Sequence, residues 1–221
     1  MSFLALSDSV LLCRSGYNAE MIGSRELIEF CELPEAMGVE SRTGHRQDTR
    51  CEGRAVFDRR TVANKKVRYS LSALWDEGLP LLFGVGLNPS KADERKGDIT
   101  VNRAIRAAQG SGRFGGLFWV NTAAQMETDS STWISDGRPD GPLNTEQLRR
   151  VFERLHRDET KRDILLAWGD RGPRLTRWLS DTQRDPRVRL LTLGMTENGH
   201  PWHPQRLKGE LCLKPLGSHA G

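Results

Sequence analysis

The chain has 221 residues, 28% of them charged and 37% hydrophobic, and a formal net charge of +4. These proportions exclude a disordered chain and suit one sizeable soluble core with at most an appendage. The mild basic excess permits a polyanionic partner without requiring one.

The opening "MSFLALSDSVLLCRSG" leans apolar, but no basic segment precedes it and Asp8 interrupts it. It is read as neither a signal peptide nor a membrane span. Cys13, Cys31, Cys51 and Cys212 form no C-x-x-C pair. A disulfide among the first three stays open, but scattered cysteines read more simply as reduced thiols in a cytoplasmic protein. "SRELIEF", Ser24 to Phe30, is expected as a short helix capped by Ser24. "ESRTGHRQDTRCEGR", Glu40 to Arg54, is polar and punctuated by glycine, and is expected as loop. Residues 1–53 therefore read as a partly irregular extension, and 54–221 as the principal α/β domain. "RAVFD" and "VRYSLSALWD" are strand-forming, the second turning helical at Leu71. Arg42, Arg46, Arg50, Arg54, Arg59, Arg60, Lys65, Lys66 and Arg68 make this stretch basic. It reads either as a solvated face or as a phosphate grip, whose binding would weaken with salt.

From Leu79 the pattern becomes regular. "PLLFGVGLN" is a continuous apolar run, as expected for a strand covered on both faces. "TVNRAIRAAQ" puts Val101, Ala104, Ile105 and Ala108 on one helical stripe. "GGLFWVNT" is the next strand, followed by a polar excursion from Thr128 to Pro142. "NTEQLRRVFERLHRD" is a helix capped by Asn144 or Thr145, with Leu148, Val151, Phe152 and Leu155 facing inward. "DILLAWG" is a third strand, "RGPRLTRWLS" a helix with Pro173 in its first turn, and "VRLLTLG" a fourth strand. The alternation predicts a three-layer α/β sandwich around a mostly parallel, four-stranded sheet. Ligands of such sheets bind outside the carboxyl ends of the strands. Those ends carry Asn88-Pro89-Ser90, Asn121-Thr122, Trp168-Gly169-Asp170 and the run from Thr196 to Pro204.

These exits resemble the motifs of the uracil-DNA glycosylase superfamily. "GLNPS" is similar to its first motif, "LFWVNT" to the strand ending in a base-reading asparagine, "ILLAWG" to a strand carrying a similar tryptophan-glycine, and "GHPWHP" to its histidine-proline motif. Taken with "RYSLSALWD", "LNPSKAD", "VNTAAQ" and "LGMTENGHPWHP", the stretch 54–208 also resembles a bacterial and phage family annotated only as a domain of unknown function. The sequence departs from the uracil enzymes in lacking the first-motif aspartate and in carrying two histidines, His200 and His203, at the last. The resemblance implies a uracil-DNA glycosylase-like fold, base flipping and monofunctional hydrolysis of an N-glycosidic bond to leave an abasic site. The departures point away from plain uracil, and together with the phage association of the family resembled they extend the expectation to a modified pyrimidine, such as a glucosylated hydroxymethylcytosine in viral DNA, with a role in antiphage defence.

In such chemistry negative charge appears on the base and positive charge on the sugar, so donors belong at the base and an anion or dipole beneath the sugar. Asn88 is the candidate to hold a water against C1′, although its amide cannot deprotonate that water. Asp93 or Asp98 is the candidate general base. Asn121 is the base reader, with Pro89, Ser90 and Trp168 around the base. Asn88 and Asn121 could each instead simply bond local backbone at a strand end. His203 is the expected donor to the departing base, with His200 in reserve. Ser90, Lys91, His200, Trp202 and Arg206 are expected on DNA, and Trp202, Arg206 or Leu207 could fill the gap left by a flipped nucleotide. His200, His203, Cys212 and His219 fit no common zinc spacing, "GVGLNP" lacks a third dinucleotide-binding glycine and no Walker A sequence occurs, so neither metal nor cofactor is expected. The partner expected is DNA, viral or otherwise modified, met by a monomer away from any membrane. The rival readings are an inactive module that binds modified bases and a hydrolase of free nucleosides or nucleotides.

Overall fold

The computed structural model describes residues 24–62, 64–157, 162–172 and 186–216. The opening apolar stretch to Gly16, Cys13 with it, the expected helix from Arg171 to Ser180 but for its first two residues, and His219 lie outside the described residues. The first element, α1 (Ser24–Cys31), buries Leu27, Ile28 and Cys31 on one side. Ser24 is itself the first helical residue, and its hydroxyl donates to the carbonyl of Leu79 at 2.9 Å.

A three-stranded antiparallel meander follows: β1 (Val39–Arg46), β2 (Cys51–Asp58) and β3 (Arg68–Leu74). The expected loop from Glu40 to Arg54 is therefore most of a hairpin, and β3 continues through Leu71 without turning helical. The division between residues 53 and 54 falls inside β2, where Gly53 pairs with Gly44 on one side and Ala73 on the other. The polar composition has a physical reason. β1 is an edge strand whose side chains are mostly half-exposed, which alternating polar residues tolerate.

The remaining strands are β4 (Leu81–Gly86), β5 (Gly116–Asn121), β6 (Arg162–Leu166), β7 (Val188–Thr192) and β8 (Lys214–Pro215). One mixed sheet results, in the order β1-β2-β3-β5-β4-β6-β7-β8. Its inner block β5-β4-β6-β7 is parallel, while β3 and β8 pair antiparallel on either side. The expected four parallel strands are thus the middle of an eight-stranded sheet. Among the described residues four α-helices accompany it: α1, α2 (Ile99–Gly110), α3 (Ser130–Ser135) and α4 (Asn144–Arg157).

Alternation along the parallel strands builds a core on each face of the sheet, and a third cluster of Leu33, Val39, Val56, Val67, Tyr69 and Ala124 lies at the meander. Leu81, Phe83 and Val85 of β4 point with Phe118 and Ile164 toward α1 and α4. Leu82, Leu117, Trp119, Leu165 and Leu191 point the other way, toward Val101, Ala104, Ile105 and Ala108 of α2. That is why these strands read as unbroken apolar runs: both faces are covered. Two gaps in the run are needed by a neighbour. A Cβ on Gly84 would lie 2.3 Å from Trp119, and one on Gly86 would lie 2.6 Å from the amide nitrogen of Asn121 and 2.7 Å from Trp119.

Helix α2 starts at Asp98, whose carboxylate accepts from the amide of Val101 at 2.8 Å. No helix among the described residues is long and apolar enough to cross a membrane. Cys31, Cys51 and Cys212 are free thiols, the first two buried.

Candidate active site

The carboxyl ends of the parallel strands open into a cleft of about 1450 Å³. Asn88 after β4, Asn121 at the end of β5, Trp168 after β6, and Trp202 and His203 after β7 all line it, as do Ser90, Lys91, Asp98 and Arg206. Pro89, Asp93 and His200 do not line it. Pro89 is buried, and its carbonyl takes bonds from the amide of Glu127 at 2.8 Å and from the side chain of Asn88 at 3.3 Å. The carboxylate of Asp93 accepts from the amides of Arg95 and Lys96 at 2.8 and 2.7 Å, which closes a turn. Of the two candidate bases Asp98 is the one that lines the cleft, where Glu127, Asp170, Glu197 and Glu210 also lie.

Each polar side chain has its orientation set by neighbours. Asn88 donates through its amide nitrogen to the carbonyl of Glu127 at 2.8 Å. The backbone-bonding role expected of a strand-end asparagine is therefore met by the nitrogen alone, and the side-chain oxygen has no hydrogen-bond partner among the described residues. Asn121 is 4% exposed and accepts at its oxygen from Nη2 of Arg68 at 3.3 Å. Arginine only donates, so the Asn121 oxygen must face Arg68, and the nitrogen takes the opposite direction beside Gly86. Ser90 lies 3.5 Å from the hydroxyl of Thr128. From the polar excursion Thr128 and Ser130 line the cleft. Trp133 is buried in the core, its indole nitrogen donating to Pro139.

The two histidines part company through local backbone. Met195 and Pro201 form an isolated bridge, and the chain reverses at Gly199, where φ is +76°. Trp202 donates its amide to Gly194, and Gly169 donates to Pro201, both at 2.9 Å. This small reversal ties the segment to the end of β6 and brings His203 against Gly169, where a Cβ would sit 3.1 Å from the histidine Cβ. Burial pushes the His203 imidazole down to about 4, partly opposed by Asp98 and reinforced by Arg206. The ring is neutral at physiological pH and so offers one N–H donor and one acceptor.

The expected wedge and phosphate grip are altered. Leu207 packs against the α2 core, and its carbonyl accepts from Arg103. Of the basic stretch before the sheet, Arg42 pairs with Glu40, Arg54 with Glu32 and Glu29, Arg60 with Asp58, and Lys65 with Glu127 and Asp136. Arg46 and Arg68 are buried. The stretch is largely spent on the protein itself. Positive charge at the cleft comes instead from Lys91, Lys96, Arg103, Arg106, Arg171 and Arg206, most of them unremarkable in sequence. Arg68 is the site residue that sequence reading misplaced most. It counted there as one surface cation among nine.

The chain matches the family described as "Protein of unknown function (DUF1643)" over residues 68–205, and it belongs to that family. The matched span begins with Arg68 and runs from β3 to the segment holding His203. No curated protein matches the chain.

Proposed function

We propose that the cleft encloses an extruded nucleobase and that the protein hydrolyses the bond joining that base to deoxyribose, as a monofunctional DNA glycosylase. One observation carries the reading: side chains from the exits of four successive parallel strands, Asn88, Asn121, Trp168 and His203, line a single cleft. In such a reaction the C1′–N bond breaks and its electron pair leaves with the base. A water held by the Asn88 oxygen adds to C1′ and gives a proton to the Asp98 carboxylate. Neutral His203 donates a hydrogen bond to the departing base, Asn121 reads its edge, and the tryptophans shield it from solvent. The Asp98 proton then passes through solvent to the base nitrogen. No external cofactor enters this balance. The volume of about 1450 Å³ exceeds the ~300–1,000 Å³ of ordinary ligand pockets, which suits a base enlarged by modification. A modified pyrimidine of viral DNA, glucosylated hydroxymethylcytosine among them, is the substrate class proposed, and antiphage defence the proposed setting.

A second reading draws on the internal pairing of the basic stretch. With Arg42, Arg54, Arg60 and Lys65 already matched, a free nucleoside or nucleotide is a coherent guest of the same cleft. One experiment separates the two. The protein is incubated with phage DNA carrying modified pyrimidines, with matched unmodified DNA, and with the corresponding free nucleosides. The glycosylase reading expects alkali-labile abasic sites and a released base in the mass spectrum, lost in Asn88→Ala. Turnover of nucleosides alone would replace it with the second reading, and release from no substrate would leave only a binding module.

A further inference from the structure

We infer that Arg68 is an anion-stabilising group behind the cleft, acting on the guest through the amide of Asn121. Arg68 is 1% exposed, and among the described residues no carboxylate approaches it closely enough to form an ion pair. Its partners are neutral: Nη1 donates to the carbonyl of Ala92 at 2.6 Å, and Nη2 to the oxygen of Asn121 at 3.3 Å. Nε is buried with no hydrogen-bond partner. Both Arg68 and Asn121 line the cleft. Burial lowers the guanidinium to about 10, countered by the more distant Asp98 and Asp93 and furthered by Arg46, so it stays charged near neutrality.

A buried cation without a counter-ion is costly unless something compensates it. Most buried arginines are compensated by a carboxylate. Here the compensation is left to a carbonyl, an amide and whatever occupies the cleft. The arrangement also fixes what the guest meets. With its oxygen turned to Arg68, Asn121 presents its N–H edge, and the bond from the guanidinium polarises that N–H further. Trp168 adds a second buried donor on the cleft wall, its indole nitrogen lacking a partner. The wall is thus matched to acceptors and to negative charge. This deepens the glycosylase reading and rests on it for the identity of the anion: the base nitrogen that carries the electron pair once the C1′–N bond has broken. Arg68 is then a positioning residue, since Asn121 is the group that touches the base.

The test uses free bases as product probes, so that it does not depend on excision. Binding of uracil and of 5-nitrouracil, which is anionic at pH 8, is measured by calorimetry at that pH. The expected result is that the full chain binds the anionic base about tenfold or more tightly than the neutral one, the scale of a hydrogen bond to a charged group. Asn121→Asp, which keeps Arg68 in place but sets a carboxylate against it, is expected to abolish that preference. Arg68→Met does the same if it folds, and Arg68→Lys restores part of it. Equal affinity for the two bases, no binding of either, or a preference that survives Asn121→Asp would overturn the inference. An anion preference with no base excision would withdraw the glycosylase reading and leave the anion site standing. Excision without that preference would do the reverse.

Discussion

Neutral His203 makes a thermodynamic prediction that needs no substrate. An unfolded histidine titrates near 6.5, whereas this one is pushed down to about 4 by burial. Between those values the unfolded chain holds a proton that the folded chain refuses. Stability therefore falls as pH drops from about 6.5 and levels off below about 4, where both states are protonated. Fully expressed, the linkage takes away about 1.8 kcal/mol between pH 7 and pH 5, and about 3.4 kcal/mol over the whole window. His203 is only half-buried, so solvent screening reduces this, and roughly 1 kcal/mol between pH 7 and pH 5 is the expected loss. Urea denaturation of the wild type and His203→Gln at pH 7, 6 and 5 isolates the effect, because the other titrating groups cancel in the difference. The glutamine variant is expected to gain on the wild type as the solution is acidified. A difference that is constant with pH, or that grows toward alkaline pH, would refute the neutral imidazole and with it the donor role assigned to His203.

Five substitutions test the rest of the site. Asp93→Asn is expected to leave base excision unchanged, since an asparagine can still accept from the amides of Arg95 and Lys96. Asp98→Asn keeps the cap on α2 but removes the proposed base, and single-turnover kinetics should show a loss of about 10²–10⁴-fold. Gly86→Ala and Gly84→Ala should both lower the denaturation midpoint, by roughly 1–3 kcal/mol of overpacking. Gly86→Ala alone displaces the Asn121 amide, so only it should also weaken oligonucleotide binding in fluorescence anisotropy. Arg46→Met removes a buried donor to the carbonyl of Asp93, and faster hydrogen exchange or proteolysis between residues 93 and 97 should report the loosened loop.

What sequence could reveal divides along the range of the interactions. The strands β4 to β7 were legible because burial on both faces leaves an unbroken apolar run, and their exits were legible because polar residues stop those runs abruptly. Helices α2 and α4 announced themselves through one apolar stripe each, confirmed in Val101, Ala104, Ile105 and Ala108, and in Val151, Phe152 and Leu155. The meander was not legible, because its stability lies in long-range matches. Arg54 looks like a loop cation until Glu32, 22 positions away, closes on it. Gly53 looks like a turn residue until the carbonyl of Glu94 is found 2.0 Å from where its Cβ would stand. Arg68 bonds to groups 24 and 53 positions further on, so no local pattern marks it as buried. The choice between His200 and His203 was likewise undecidable from spacing, since only the reversal at Gly199 decides which ring reaches the cleft.

These long-range matches change what the N-terminal part of the fold is for. The loop from Asn88 to Asp98 carries the proposed water-holding amide at one end and the proposed base at the other. Several of its restraints come from the meander. Arg68 at the head of β3 holds the Ala92 carbonyl, and Arg46 at the end of β1 holds that of Asp93 at 2.6 Å. Asp48, in the hairpin turn, takes the amide of Gly97 at 2.9 Å and the side chain of Asn102 at 2.8 Å. Residues that read as an extension therefore fix the separation of the two groups the chemistry needs. A chain begun at residue 54 would keep every residue proposed to touch substrate, yet it would lose Arg46, Asp48, the whole of β1 and the start of β2, from Cys51 to Gly53. The site is built from the carboxyl ends of the parallel strands, but its geometry is held from outside them.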